Sequence, residues 1–159
     1  MAKKKRGSLA WWKDQAWQVF SRYVRRLHAD AQGNCQCVTC GVIKPWKKLH
    51  SGHYVDGRNN TVLFREDLVH PQCFHCNSKR PGCLAGNKIK YTVFMMARYG
   101  LSAADCDDLD NLKFKTKKMT EADYQEIIAK YQDALTGLDI RDKRRADENA
   151  EEPNRVSDR

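Results

Sequence analysis

The chain has 159 residues, of which 41 % are hydrophobic, and a mean hydropathy of −0.78. That suits one small domain with helical appendages and excludes a large barrel or a two-domain dinucleotide enzyme. Lys and Arg number 29 against 20 Asp and Glu, a net +9; residues 1–100 carry a balance of +13 and residues 101–159 one of −4, so a polyanion partner is expected at the first hundred residues.

Residues 1–8 are predicted to be a basic flexible arm. No apolar stretch follows MAKKKRGS, as a secretory signal would need, and no apolar run nears the roughly 20 residues that span a bilayer. A cytosolic chain without a membrane partner is therefore expected. Residues 9–34 are predicted to hold an N-terminal helix. Trp12, Ala16, Val19, Phe20, Tyr23, Val24 and Leu27 recur at three- and four-residue spacing. Arg22, Arg25 and Arg26 lie off that stripe, and Gln32-Gly33-Asn34 reads as a turn.

Residues 35–86 are bounded by cysteines. Seven are present, an odd number in an expected reducing compartment, so a disulfide scaffold is a poor account. Cys37-Val-Thr-Cys40 and Cys73-Phe-His-Cys76 have knuckle spacing. One C-x-x-C turn supplies two corners of a zinc tetrahedron, and a second closes the site from a distant segment. A structural zinc on these four thiolates is expected. Cys35 could replace Cys37 by a register change, Cys83 could be a spare ligand, and Cys106 reads as a buried thiol.

Thirty-two residues separate the pairs, room for a β-hairpin. His53–Val55 and Thr61–Phe64 are predicted as its strands, with 56–60 as the loop. The second pair should open a helix through Asn77, Ser78 and Lys79. A hairpin and helix clamped by zinc is a ββα-metal layout within a mostly helical α+β fold. It would set His53 opposite Asn77. An imidazole with an ordinary pKa of about 6.5 can take a proton from water near neutrality. An amide oxygen suits Mg²⁺. Together they would make a minimal phosphodiester-hydrolysis site, flanked by Arg58, Arg65, Lys79 and Arg80 as phosphate contacts.

Residues 87–137 read as helices. Ile89, Val93, Met96 and Ala97 share a face, and Gly100 is a stop. Ser102–Asp105 and Thr120–Asp123 resemble capping boxes. Tyr124, Ile127, Ile128, Tyr131 and Leu135 form the last stripe. Residues 138–159 are charged and apolar-poor, predicted to be disordered or a frayed helix.

Cys37-x-x-Cys40, Gly52-His53-Tyr54, Val69-His70-Pro71-Gln72-Cys73-x-x-Cys76-Asn77 and Gly86-Asn87…Tyr91 resemble the NinG/Rap family of lambdoid phage recombination nucleases. The resemblance covers roughly residues 15–137. The cysteine frame with Asn after the last Cys is also similar to phage endonuclease VII, within the His-Me finger or HNH nucleases. The resemblance implies a phage protein in the bacterial host cell that cleaves branched DNA, such as Holliday junctions and D-loops, with Mg²⁺ or Mn²⁺. It implies His53 as general base, Asn77 as catalytic-metal ligand and Cys37, Cys40, Cys73 and Cys76 on zinc. It also implies a homodimer, and recombination proteins are further possible partners. Two positions depart from the pattern. Gly52 stands where many HNH motifs carry a metal-binding Asp, Glu or His, leaving His50 and Asp56 as nearby candidates for a second ligand. Leu68, beside Asp67, stands where the motif's loop-bracing Asn is expected, leaving Asn59 or Asn60 for that role.

Each residue has a plainer reading. His53 could be an ordinary strand histidine, Asn77 a helix cap, and the basic residues a solvated face. His70 reads as a DNA contact or a satisfied core histidine, His75 as exposed, and His28 as a helix-end residue. Trp11, Trp12 and Trp17 read as core, helix or dimer contacts ahead of base stacking. For the whole chain the alternatives are a non-catalytic zinc-ribbon DNA-binding or regulatory protein, a nonspecific HNH nuclease, and an interaction protein with a purely structural zinc.

Overall fold

The computed structural model describes residues 5–151. The readings of residues 1–4 as basic arm and 152–159 as charged tail lie outside the described residues. Helix α1 (Leu9–Leu27) starts at Ser8, whose hydroxyl accepts the Trp11 N–H at 3.3 Å, and ends at His28. Of the expected stripe it buries Ala16, Phe20 and Val24 and leaves Leu27 exposed.

Two small antiparallel sheets follow. Strand β1 (Asn34–Gln36) pairs with β2 (Ile43–Pro45), with Cys35 opposite Lys44. Strand β3 (His50–His53) pairs with β4 (Val69–Gln72), setting His50 opposite Gln72 and Gly52 opposite His70. Helix α2 (Phe74–Asn77) leaves β4 directly, and α3 (Lys88–Tyr99), α4 (Ala103–Asn111) and α5 (Glu121–Glu151) complete a mostly helical α+β fold.

The hairpin differs from the expected one. The first strand is His50–His53 and not His53–Val55, with Tyr54 and Val55 in bends beyond its end; residues 61–64 are turns instead of a strand, and the partner of β3 is 69–72. Val62 and Leu63 are fully buried, and both turn back their N–H groups to the Asn59 carbonyl. Val62 serves the core beneath the 54–68 segment, where Tyr54, Val55, Val62 and Leu68 meet Tyr91, Met95 and Cys106. Asn59 and Asn60 brace this segment. Asn59 Nδ2 donates to the Lys113 carbonyl at 3.0 Å and Asn60 Nδ2 to that of Lys117 at 3.1 Å.

Helix α2 is shorter than expected. Ser78 leaves it with an extended backbone (φ −73°, ψ 146°), so Lys79 lies outside it. Helix α5 is longer. No element ends at 138: the helix continues to Glu151, buries Leu138, and meets Arg26 of α1 through Asp139 (3.4 Å) and Asp142. Phe20 and Tyr131, 4.9 Å between ring centroids, carry the apolar part of that α1–α5 seam. The capping boxes both form: Ser102 with Asp105, and Thr120 with Asp123.

Candidate metal centre and adjoining polar pocket

The first cysteine pair lies in the β1–β2 turn. Gly41 follows it at φ +77°, a left-handed conformation that glycine adopts without strain, and its N–H closes the turn on the Cys37 carbonyl at 2.9 Å. The second pair brackets α2, with Cys73 as its N-terminal flanking residue. The four Sγ atoms of Cys37, Cys40, Cys73 and Cys76 lie within 4.8 Å of one another, and Cys40 and Cys73 are 3.8 Å apart. With Zn–S bonds of about 2.3 Å, a tetrahedron places its sulfurs roughly that far apart. These four can hold a metal ion, and the donor set suits zinc. Burial raises the Cys37 thiol, but hydrogen bonds from the Thr39 hydroxyl and from backbone groups of Cys73, Thr39 and Cys40 outweigh it. They bring its pKa down to about 6, whereas burial pushes the Cys40 and Cys73 thiols up. Asn87 Nδ2 approaches the Cys76 sulfur at 3.5 Å. Cys35 and Cys83 are not in the cluster.

Beside it lies a polar cavity of about 360 Å³, lined by Trp17, Arg25, His50, His53, Arg58 and Asn77 among others. His53, the last residue of β3, stacks on Trp17 at 4.8 Å and 22°. Its ring shares a hydrogen bond with the Leu63 backbone that favours the protonated form, so the ring donates to that carbonyl. Nε2 is buried without a partner among the described residues, which assigns the donated proton to Nδ1 and leaves Nε2 with its lone pair. Burial, and then the Arg58 guanidinium, push the His53 pKa down to about 4.

Asn77 ends α2. Its Nδ2 donates to His50 Nδ1 at 3.2 Å, and its Oδ1 faces Gly52, 3.0 Å from where a Cβ there would stand. Gln72 Oε1 lies only 2.0 Å from that same point, so no side chain fits at position 52. The Gly52 carbonyl is held from the other direction: Tyr91 donates its hydroxyl proton to it at 3.0 Å. Tyr91 therefore accepts from His70 Nδ1 at 2.9 Å, and His70 Nε2 accepts from Tyr99 at 2.8 Å. His70 is thus a satisfied core histidine. His75 is exposed, and His28 ends α1.

Of the four expected phosphate contacts, only Arg58 lines this cavity. Its guanidinium lies 4.7 Å from the Trp17 ring centroid. Arg65 is bound to Asp67 and lines a different hollow, Lys79 pairs with Asp56 at 3.9 Å, and Arg80 sits over Phe74. Asp56 is thereby directed to Lys79 and does not line the cavity. Sequence reasoning missed the α1 wall. Trp17, Ser21 and Arg25, spaced i, i+4 and i+8, present one helix face to the cavity. Arg25 Nη1 donates to the Leu49 carbonyl at 3.0 Å.

These features define a mostly helical α+β protein whose described residues form two small sheets joined at a cluster of four cysteines that could hold a metal ion. The family model described as "Bacteriophage Lambda NinG protein" matches residues 1–141. The chain belongs to the NinG family. It is 29 % identical over 136 residues to Protein ninG of Salmonella phage P22, covering 85 % of this chain and 60 % of that protein. It is 27 % identical over 130 residues to Protein ninG of Escherichia phage 933W, covering 81 % and 59 %, and 26 % identical over 130 residues to that of Escherichia phage lambda, covering 81 % and 58 %. The chain spans about three fifths of the length of the curated relatives it matches. No solved structure matches it.

Proposed function

We propose that this chain is a metal-dependent DNA endonuclease of the HNH type that cuts branched recombination intermediates such as Holliday junctions and D-loops. One observation carries the reading. A single cavity is lined by His53, whose buried Nε2 has no partner among the described residues, and by Asn77, on the helix opened by the second cysteine pair, with Arg25 and Arg58 beside them. β3, β4 and α2 are the hairpin and helix of a ββα-metal core.

His53 stays neutral down to acid pH, and Nε2 accepts a proton from water. The water oxygen bonds to phosphorus as the bond to the leaving oxygen breaks, and that oxygen gains a proton from solvent. Nε2 is closed to bulk solvent, so a side-chain movement at the cavity must admit the water. Trp17, stacked on the ring, is the first candidate to move. Asn77 Oδ1 would hold Mg²⁺ or Mn²⁺, which when bound neutralises charge on the phosphate and leaving oxygen. Arg25 and Arg58 bind backbone phosphates, consistent with the basic balance of the first hundred residues. Symmetric incision across a junction needs two sites, so the active form is a homodimer.

The test is incubation of purified protein with a synthetic four-way junction and Mg²⁺ or Mn²⁺. Cleavage is expected, and its loss in His53→Ala with junction binding retained. No cleavage with either cation, or an unimpaired His53→Ala, overturns the reading.

A further inference from the structure

We propose that Gln72 supplies the second protein oxygen to the divalent cation held by Asn77. The inference rests on the metal-site reading above and deepens it.

Gln72, the last residue of β4, is completely buried. Its amide orientation is fixed by its donors. Nε2 gives one hydrogen bond to the Gly86 carbonyl at 2.8 Å and one to the Thr39 hydroxyl at 3.3 Å. Both are acceptors for that NH₂, so the amide cannot flip without losing the shorter bond. The other end, Oε1, is then left buried with no hydrogen-bond donor among the described residues. A buried carbonyl without a partner is costly and uncommon in a native interior. It is stabilised where positive charge comes to it.

A second oxygen lies close by. Oε1 and Asn77 Oδ1 lie 2.0 and 3.0 Å from one and the same point, the position a Cβ at residue 52 would take. Because Gly52 has no Cβ, the Gln72 amide oxygen fills that space, with Asn77 Oδ1 beside it. Asn77 is oriented in the same sense, because its NH₂ is turned to His50 and its oxygen is turned inward. Two neutral carbonyl oxygens from different elements, β4 and α2, thus converge with no proton between them. Such a pair is a hard donor set for Mg²⁺ or Mn²⁺, which takes a few protein oxygens and completes its shell with water and phosphate. The Thr39 and Gly86 contacts fix one oxygen, and the His50 contact fixes the other. His50 and Asp56 have other employment, with Asn77 and Lys79 respectively.

Mn²⁺ binding to the full zinc-loaded chain tests this directly. Free Mn²⁺ is read by electron paramagnetic resonance, without DNA and without turnover. Gln72→Met keeps the length but removes the oxygen, and is expected to weaken Mn²⁺ on the order of tenfold. Gln72→Glu supplies a carboxylate oxygen, and is expected to tighten Mn²⁺ and to make its melting temperature rise more with Mn²⁺ than that of the wild type. Asn77→Ala should abolish binding. If Gln72→Met does not fold, the Gln72→Glu melting response decides. Equal Mn²⁺ affinity in wild type and a folded Gln72→Met, or no extra Mn²⁺ response in Gln72→Glu, overturns the role of Gln72 while leaving Asn77 in place. Wild-type protein that binds no Mn²⁺ overturns the metal-site reading itself.

Discussion

His53 was marked by its place after Gly52 in a β-like run, but its environment was not legible. Nothing in the sequence set Trp17 against it or Arg58 beside it, because both come from distant segments. Those neighbours have consequences for acidity. Burial first, and Arg58 second, hold its pKa near 4, against about 6.5 in the unfolded chain. Between those values the unfolded state binds the extra proton, so stability is full above about pH 7 and falls as pH drops toward 4. Each unit of depression is worth about 1.4 kcal/mol on full protonation. Urea unfolding at pH 7.5 and 5.0 should show a smaller acid loss in His53→Ala than in wild type; an equal loss would rule this out. Arg58→Ala should raise the His53 pKa, read from its ring resonances by NMR titration without Mg²⁺. Gly52→Ala places a methyl against the Gln72 and Asn77 oxygens and should cost about 1–3 kcal/mol in thermal or urea unfolding. Asn77 was readable because it follows Cys76 directly. Gln72 was not, since a glutamine before a cysteine carries no pattern of its own.

At the scale of elements, the cysteine spacing located the β1–β2 turn and the start of α2, since tetrahedral geometry constrains such loops strongly. The hairpin partner was misplaced for a physical reason. Val62 and Leu63 look like a strand but are core residues of a turn, while the true strand, Val69–Gln72, contains Pro71 and two polar residues. Proline and polar side chains hide a strand whose four residues are nonetheless all buried. Helix α2 has only four residues, far below the length at which a helix persists alone. Metal held by Cys73 and Cys76 would keep it formed. Metal analysis should find about one zinc per chain. Chelation, or Cys76→Ser, should release it and broaden or shift the Asn77 amide resonance. Retention of that resonance in fully metal-free protein would show that packing alone holds the helix.

For the molecule as a whole, the charge asymmetry was visible from composition, and its meaning depended on the fold. Arg25 and Arg58 reach the cavity from both sides of the chain's basic portion, while Arg65, Lys79 and Arg80 are engaged elsewhere. Arg25→Ala and Arg58→Ala should therefore weaken junction binding and flatten its salt dependence more than Arg80→Ala. Gel-shift titrations over a salt series measure this. The charged composition of 138–151 concealed that it continues α5, because its contacts to α1 are ionic and sparse. Ending the chain at residue 137 removes buried Leu138 and both partners of Arg26, and should cost on the order of 2 kcal/mol in a thermal melt.

That α1–α5 seam also sets an order of events during synthesis. Arg26 and Asp139 are 113 positions apart, whereas both cysteine turns and both hairpins close within far shorter stretches. Long closures form late. A ribosome adds roughly 5–20 residues per second, so the cysteine frame is complete seconds before α5 exists to hold α1. The α1–α5 seam is thus fastened last, whereas Trp17 and Arg25, whose partners His53 and Leu49 emerge early, can be seated before α5 exists.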